Sequence, residues 1–155
     1  MRTWVMFLSS VLLIVTSCGI NEDDEVIERV AVGDRVPAFS VEVVDNGMRS
    51  TFSTEDIYGE TVIVFFNTSC EDCQRELPKF NEYYLSHRDD DGFRMVAISR
   101  EEGEESVAAY WHANNLLIPY SAQSDRRIYN LFASSIIPRV YYCSAQGIVV
   151  GIMKE

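Results

Sequence analysis

The sequence predicts an α/β domain, a central mixed sheet with flanking helices and an N-terminal β-hairpin extension. Three observations predict it. Residues 61–67 (TVIVFFN) form a continuous β-branched and aromatic run, the pattern of a strand buried on both faces. Leu77, Phe80 and Tyr84 recur at i, i+3 and i+7, which is one face of a helix. Asn46-Gly47 is a two-residue hairpin turn signal. A strand–helix–strand crossover beside a hairpin requires both parallel and antiparallel pairs in one sheet.

The elements read in order as follows. The domain begins near Val32, where Gly33-Asp34 and Pro37 punctuate the chain. Phe39 to Val43 alternate apolar and polar residues as an edge strand does, and with the Asn46-Gly47 turn they place a hairpin over residues 39–52. After the buried strand comes the helix through Leu77 and Tyr84. Pro78 is expected to kink it, and Asp89-Asp90-Asp91-Gly92 to stop it. Residues 93–99 (FRMVAIS) form the next strand, 104–114 a second helix and 126–132 a short third helix. Ile136-Ile137-Pro138 leads into a strand over 139–143, and Gln146-Gly147 turns into a last strand over 148–153.

The N-terminal stretch belongs to another category. Arg2 is followed by an apolar run, Val5 to Val15, of the length of a signal h-region and short of the roughly 20 apolar residues a membrane-spanning helix needs. The run ends in Val15-Thr16-Ser17-Cys18. This fits an ordinary secretory signal, and it also resembles the bacterial lipoprotein signal, in which cleavage precedes a cysteine that becomes lipidated. On that resemblance residues 1–17 are a signal peptide, Cys18 carries the lipid, residues 18–31 form an acidic tether and residues 32–155 form the domain. Removing 17 residues from 155 leaves 138, enough for one domain with a real core. Glu22 to Glu25 cannot bury apolar area; they read as a solvated linker, or as an address for the cell surface. The lost segment holds Arg2 and no acid, so the formal charge moves from −11 to −12. Such a chain is repelled by nucleic acid and by anionic bilayers, which excludes nucleic-acid binding as a function class and assigns any membrane contact to the lipid. Export also permits disulfides.

Residues 67–78 (NTSCEDCQRELP) carry the chemistry. A structural zinc site takes four ligands, and beyond Cys70 and Cys73 the chain offers Cys18, a solitary Cys143, and His87 and His112 far apart in sequence. That argues against metal, and no cofactor is implied. Position argues for redox chemistry. Cys70 follows a buried strand and opens a helix, so its sulfur lies beside unpaired backbone N–H groups and the positive end of the helix dipole. Cys73 lies one turn later. An accessible nucleophile over a buried resolving thiol is the arrangement this predicts.

These residues carry a family resemblance. Residues from about 33 to 153 are similar to the thioredoxin superfamily, specifically its membrane-tethered TlpA/ResA-like thiol–disulfide oxidoreductases. The matching stretches are DIYGETVIVFFNTSCEDCQRELP, FRMVAIS and IIPRVYYCSAQGIVVG. The resemblance implies a thioredoxin-like fold, with Cys70 and Cys73 as the redox pair. It implies a cis peptide bond before Pro138, with Ile137 presenting backbone groups to a substrate chain, and a role for Glu76 in proton exchange with Cys73. It also implies exported protein thiols and disulfides as substrates, a membrane donor of thiol-reducing type, and lipid anchorage in a bacterial cell envelope, on the periplasmic side or at the cell surface. Three departures stand out. Ser69 occupies the usual tryptophan position, Cys143 replaces a more usual acidic or polar residue, and no helix is legible between the last strand and Glu155.

Glu71 and Asp72 set negative charge beside Cys70, which opposes a stabilised thiolate and so favours a reducing couple over an oxidising one. Two other readings stay open at this level. One is a binding or scaffold lipoprotein with a structural Cys70–Cys73 disulfide. The other is a thiol peroxidase, against which stands the lack of any proline between Pro37 and Cys70.

Overall fold

The computed structural model describes residues 26–154, so the signal segment, Cys18 and the run Glu22 to Glu25 lie outside the described residues. Within them the elements are β1 (Ser40–Asp45), β2 (Met48–Ser53), β3 (Thr61–Phe66), α1 (Glu71–His87), β4 (Arg94–Ser99), α2 (Glu104–Ala113), β5 (Tyr120–Ser121), β6 (Arg139–Cys143) and β7 (Val149–Lys154). The strands join in one sheet of order β2-β1-β5-β4-β3-β6-β7.

The apolar run of β3 takes the central place its composition demands. It pairs parallel with β4 and antiparallel with β6, from Thr61 opposite Arg94 on one side to Thr61 opposite Cys143 on the other. All six of its residues are buried. Alternation then sends neighbouring side chains to opposite faces. Phe66 stacks near Trp111 of α2, with centroids 4.8 Å apart. Phe65 packs on the other face against Phe132 at 4.9 Å and Tyr129 at 5.3 Å. Both faces of the sheet are therefore covered beside the end of β3. No helix among the described residues is long and apolar enough to cross a membrane.

The hairpin forms as expected, with Asn46 and Gly47 both at positive φ, the conformation a tight turn requires. Its first strand is not an edge, however. β1 lies between β2 and β5, pairing with the latter at Val44 opposite Tyr120, and β2 is the outer strand. The two-residue β5 follows Pro119 and is too short to show a hydrophobic period. The third helix expected over 126–132 is replaced by a single 3-10 turn at Tyr129–Leu131. There Tyr129 is drawn inward, fully buried, and its hydroxyl holds carbonyls farther along the chain. Helix α1 runs on both sides of Pro78 and ends before Arg88, whose N–H donates to the Tyr84 carbonyl at 2.8 Å.

Packing also starts earlier than residue 32. The Arg29 N–H donates to the Phe132 carbonyl at 2.9 Å, the Ser134 N–H donates to the Ile27 carbonyl at 3.0 Å, and Val30 is buried. The last residues of the stretch read as tether, 27–31, are therefore strapped across the segment that precedes β6.

Candidate active site

The end of β3 and the start of α1 build the first half of the site. Asn67 organises the turn: its Oδ1 accepts from the Ser69 N–H at 2.9 Å and the Ser69 hydroxyl at 2.5 Å. Its Nδ2 donates to the Arg100 carbonyl at 3.0 Å, tying the turn to the end of β4. Glu102 reaches across from beyond β4, accepting from the Thr68 N–H at 2.7 Å and from the Thr68 hydroxyl. Gln74 Nε2 closes the turn by donating to the Thr68 carbonyl at 2.8 Å. The loop ahead of the cysteines is thus held by three side chains that no local pattern marks.

Cys70 is the N-cap of α1, and its Sγ accepts from the Cys73 N–H at 3.4 Å. This satisfies one of the orphan donors of the helix N-terminus and seats sulfur at the positive end of the dipole. Cys70 is half-buried, while Cys73 is fully buried and carries a free thiol. Burial pushes the Cys73 thiol far up, opposed first by a backbone hydrogen bond at Asn67 and only then by the charge of Arg100. The fold sets a half-buried sulfur above a buried one.

Glu76 stands one helical turn beyond Cys73 on the same face, also buried, and its Oε1 accepts from Lys79 Nζ at 2.6 Å. Of the two acids between the cysteines, Asp72 pairs with Arg75 at 2.6 Å, so part of that charge has its own counter-ion, while Glu71 is exposed. Ser69 is exposed, leaving the approach to Cys70 open on that side.

The second half of the site is the loop entering β6. The Ile137–Pro138 peptide bond is cis, as the resemblance implies. The Ile137 carbonyl lies 3.5 Å from Cys70 Sγ, accepting from the thiol. Ile136 has φ 73°, a left-handed conformation in which a β-branched residue is held at a cost of order 1–3 kcal/mol. Neighbours must over-determine such a residue, and they do. Tyr129 donates its hydroxyl to the Ser135 carbonyl at 2.5 Å and the Ile136 carbonyl at 2.7 Å. The guanidinium groups of Arg100 and Arg126 lie over the Tyr129 ring at 5.2 and 5.7 Å, and Arg126 also donates to the Ser134 carbonyl.

Cys143 is buried in β6, opposite Thr61, and burial pushes its thiol to about 11. His87 packs against the Tyr83 and Phe93 rings, and His112 is exposed on α2. The structure brings Cys70, Cys73, Ile137 and Pro138 together and sets Glu76 one turn away. Sequence reasoning did not reach Asn67, Thr68, Gln74, Glu102 or Tyr129.

The family model described as AhpC/TSA family matches residues 32–152. The thiol-disulfide oxidoreductase ResA of Bacillus subtilis (strain 168) is 26% identical over 160 residues, spanning 97% of this chain and 87% of that protein. Among solved structures, a candidate protein disulfide isomerase from Bacteroides thetaiotaomicron superposes with a TM-score of 0.73 at 22% identity, covering 81% of this chain and 79% of that one. A thiol:disulfide interchange protein of the thioredoxin family from Chlorobium tepidum TLS gives 0.65 at 22% identity, covering 79% and 86%. At these identities the two solved structures speak for the fold alone.

Proposed function

The chain belongs to the AhpC/TSA family of thioredoxin-fold proteins and is a thiol–disulfide oxidoreductase, and on that premise we propose that it reduces disulfides of exported proteins while anchored in the cell envelope through lipidated Cys18. One observation carries the reading: Cys70 caps α1 beside the Ile137 carbonyl, with the buried Cys73 thiol one turn below.

The Cys70 thiolate attacks one sulfur of a target disulfide. A Cys70–target bond forms, the target S–S bond breaks, and the departing sulfur takes the electron pair and then a proton. The substrate chain lies along the Ile137 backbone as a short β-pairing. Cys73 then loses its proton, with Glu76 as the acceptor, and attacks Cys70 Sγ. The Cys70–Cys73 bond forms and the second target thiol departs. Two electrons have passed from the dithiol to the target, and an external dithiol donor in the membrane restores them.

The reducing direction rests on the negative charge at Glu71 beside Cys70 and on the cost of ionising Cys73 where it is buried. Equilibration with glutathione tests it: we expect a reducing couple, and a potential near the roughly −120 mV of a strong oxidant sinks the proposal. Insulin reduction by wild type and by Cys70→Ala separates an enzyme from a scaffold, since a scaffold gives the same result with both.

A further inference from the structure

The loop that faces Cys70 is held from behind by Arg139, whose counter-ion, Glu28, lies outside both the dithiol motif and the matched family segment, residues 32–152. Arg139 is the first residue of β6 and directly follows Pro138, yet its side chain is fully buried. A buried guanidinium requires a counter-ion and acceptors for its donors. The acceptors are in the loop itself: Nη2 donates to the Ser135 carbonyl at 3.0 Å and Nε to the Ile136 carbonyl at 3.4 Å. The counter-ion is Glu28, whose Oε2 lies 2.5 Å from Nη1.

Glu28 is carried in by the N-terminal strap. It forms an antiparallel bridge with Ala133, flanked by the Ile27–Ser134 and Arg29–Phe132 hydrogen bonds. Its other oxygen accepts from Lys154 Nζ at 2.6 Å, at the far end of β7. The strap, the loop and the last strand therefore meet at one carboxylate. The same Ser135 and Ile136 carbonyls are the ones Tyr129 holds from the opposite side, and Ile136 is the residue in the left-handed conformation.

We propose that Glu28 is a positioning residue for disulfide exchange: through the buried Arg139 guanidinium it clamps the Ser135 and Ile136 carbonyls and so fixes the Ile137 carbonyl against which a substrate chain pairs. The proposal rests on the oxidoreductase reading for its kinetic consequence, whereas the clamp itself can be tested without turnover. Glu28 acts only through Arg139 and the loop, so its removal weakens substrate capture and leaves the chemistry of bound substrate intact.

The test uses the full chain with two variants, Glu28→Gln and the double variant Glu28→Gln/Arg139→Met. The single variant leaves a buried charge without its counter-ion and lowers the melting temperature. The double variant removes that charge and recovers thermal stability. In both, we expect amide hydrogen exchange of residues 133–137 to accelerate by at least tenfold while the α1 amides keep their wild-type protection. With a cystine-bridged peptide as substrate, we expect KM to rise about fivefold in both variants with kcat unchanged. If the double variant recovers wild-type KM together with its stability, Glu28 serves the fold alone and the proposal is overturned. Unchanged exchange at 133–137 also overturns it. A wild-type chain that does not turn over the peptide refutes the oxidoreductase reading instead, and the exchange data still decide the clamp.

Discussion

The backbone N–H of Cys73 donates to the Sγ of Cys70 across 3.4 Å, so the helix N-terminus holds the first sulfur with the N–H of the residue that carries the second. The two sulfurs therefore differ in surroundings before any bond forms between them, and the proposed mechanism gives them unequal duties. Cys70→Ala reduces insulin reduction to the level seen without protein. Cys73→Ala allows the first attack and stalls at the mixed disulfide, which gel electrophoresis without reductant detects as a covalent adduct. Equal residual turnover in the two variants refutes this division.

Glu76 is buried one turn from Cys73, and the proposed mechanism makes it the acceptor of the Cys73 proton. Glu76→Gln keeps the shape and removes the base. Resolution of the mixed disulfide should slow by about 10²-fold, the lower end for a general base, while the rate of its formation stays within twofold of wild type. Stopped-flow measurement of the two phases checks this, and equal slowing of both phases sinks the assignment.

Glu102 satisfies the Thr68 N–H and hydroxyl from the far side of β4. In Glu102→Ala, Thr68 remains buried with its donors unpaired, which costs about 1–3 kcal/mol. Urea unfolding measures the loss. A variant within about 0.5 kcal/mol of wild type, the ordinary range for surface changes, shows that the turn holds without it.

Burial raises the Cys143 thiol from its ordinary 9.0 to about 11. Between those values the unfolded chain has lost a proton that the folded chain keeps, so the folded state binds more protons and stability falls as pH rises. Each pH unit in that window costs about 1.4 kcal/mol for one such group. Comparing unfolding midpoints of the reduced protein at about pH 9 and about pH 11, the edges of this window, Cys143→Ala should show a shallower alkaline loss than wild type. The same slope in both proteins places the titrating group elsewhere.

What was legible in the sequence depended on how local its cause was. Thr61 to Phe66 declare a central strand because burial on both faces leaves no polar position, and the cysteine pair declares itself by following that strand. Tyr120 and Ser121 do not, since two residues carry no period. The pattern over 126–132 predicts a helix, but the chain makes only a 3-10 turn there, with the Tyr129 hydroxyl donating to the Ser135 and Ile136 carbonyls of the following loop. The Thr68–Glu102 contact spans 34 positions and the Arg139–Glu28 contact 111, distances over which neither partner marks the other. Glu28 also stands three positions beyond Glu22 to Glu25, a block of acids that reads as solvated linker, which masked it.

The strap gives the molecule a mechanical order. A pull on the chain from the N-terminal side of Val26 loads the Ile27–Ser134 bond and the Glu28–Arg139 pair before it reaches the helix bearing the cysteines. Under the proposed anchorage through Cys18, traction reaches the loop proposed to receive the substrate before it reaches the dithiol. The Glu28–Arg139 pair is in that sense a shear link, the point at which tension would release the grip on a substrate while leaving the reactive sulfurs in register.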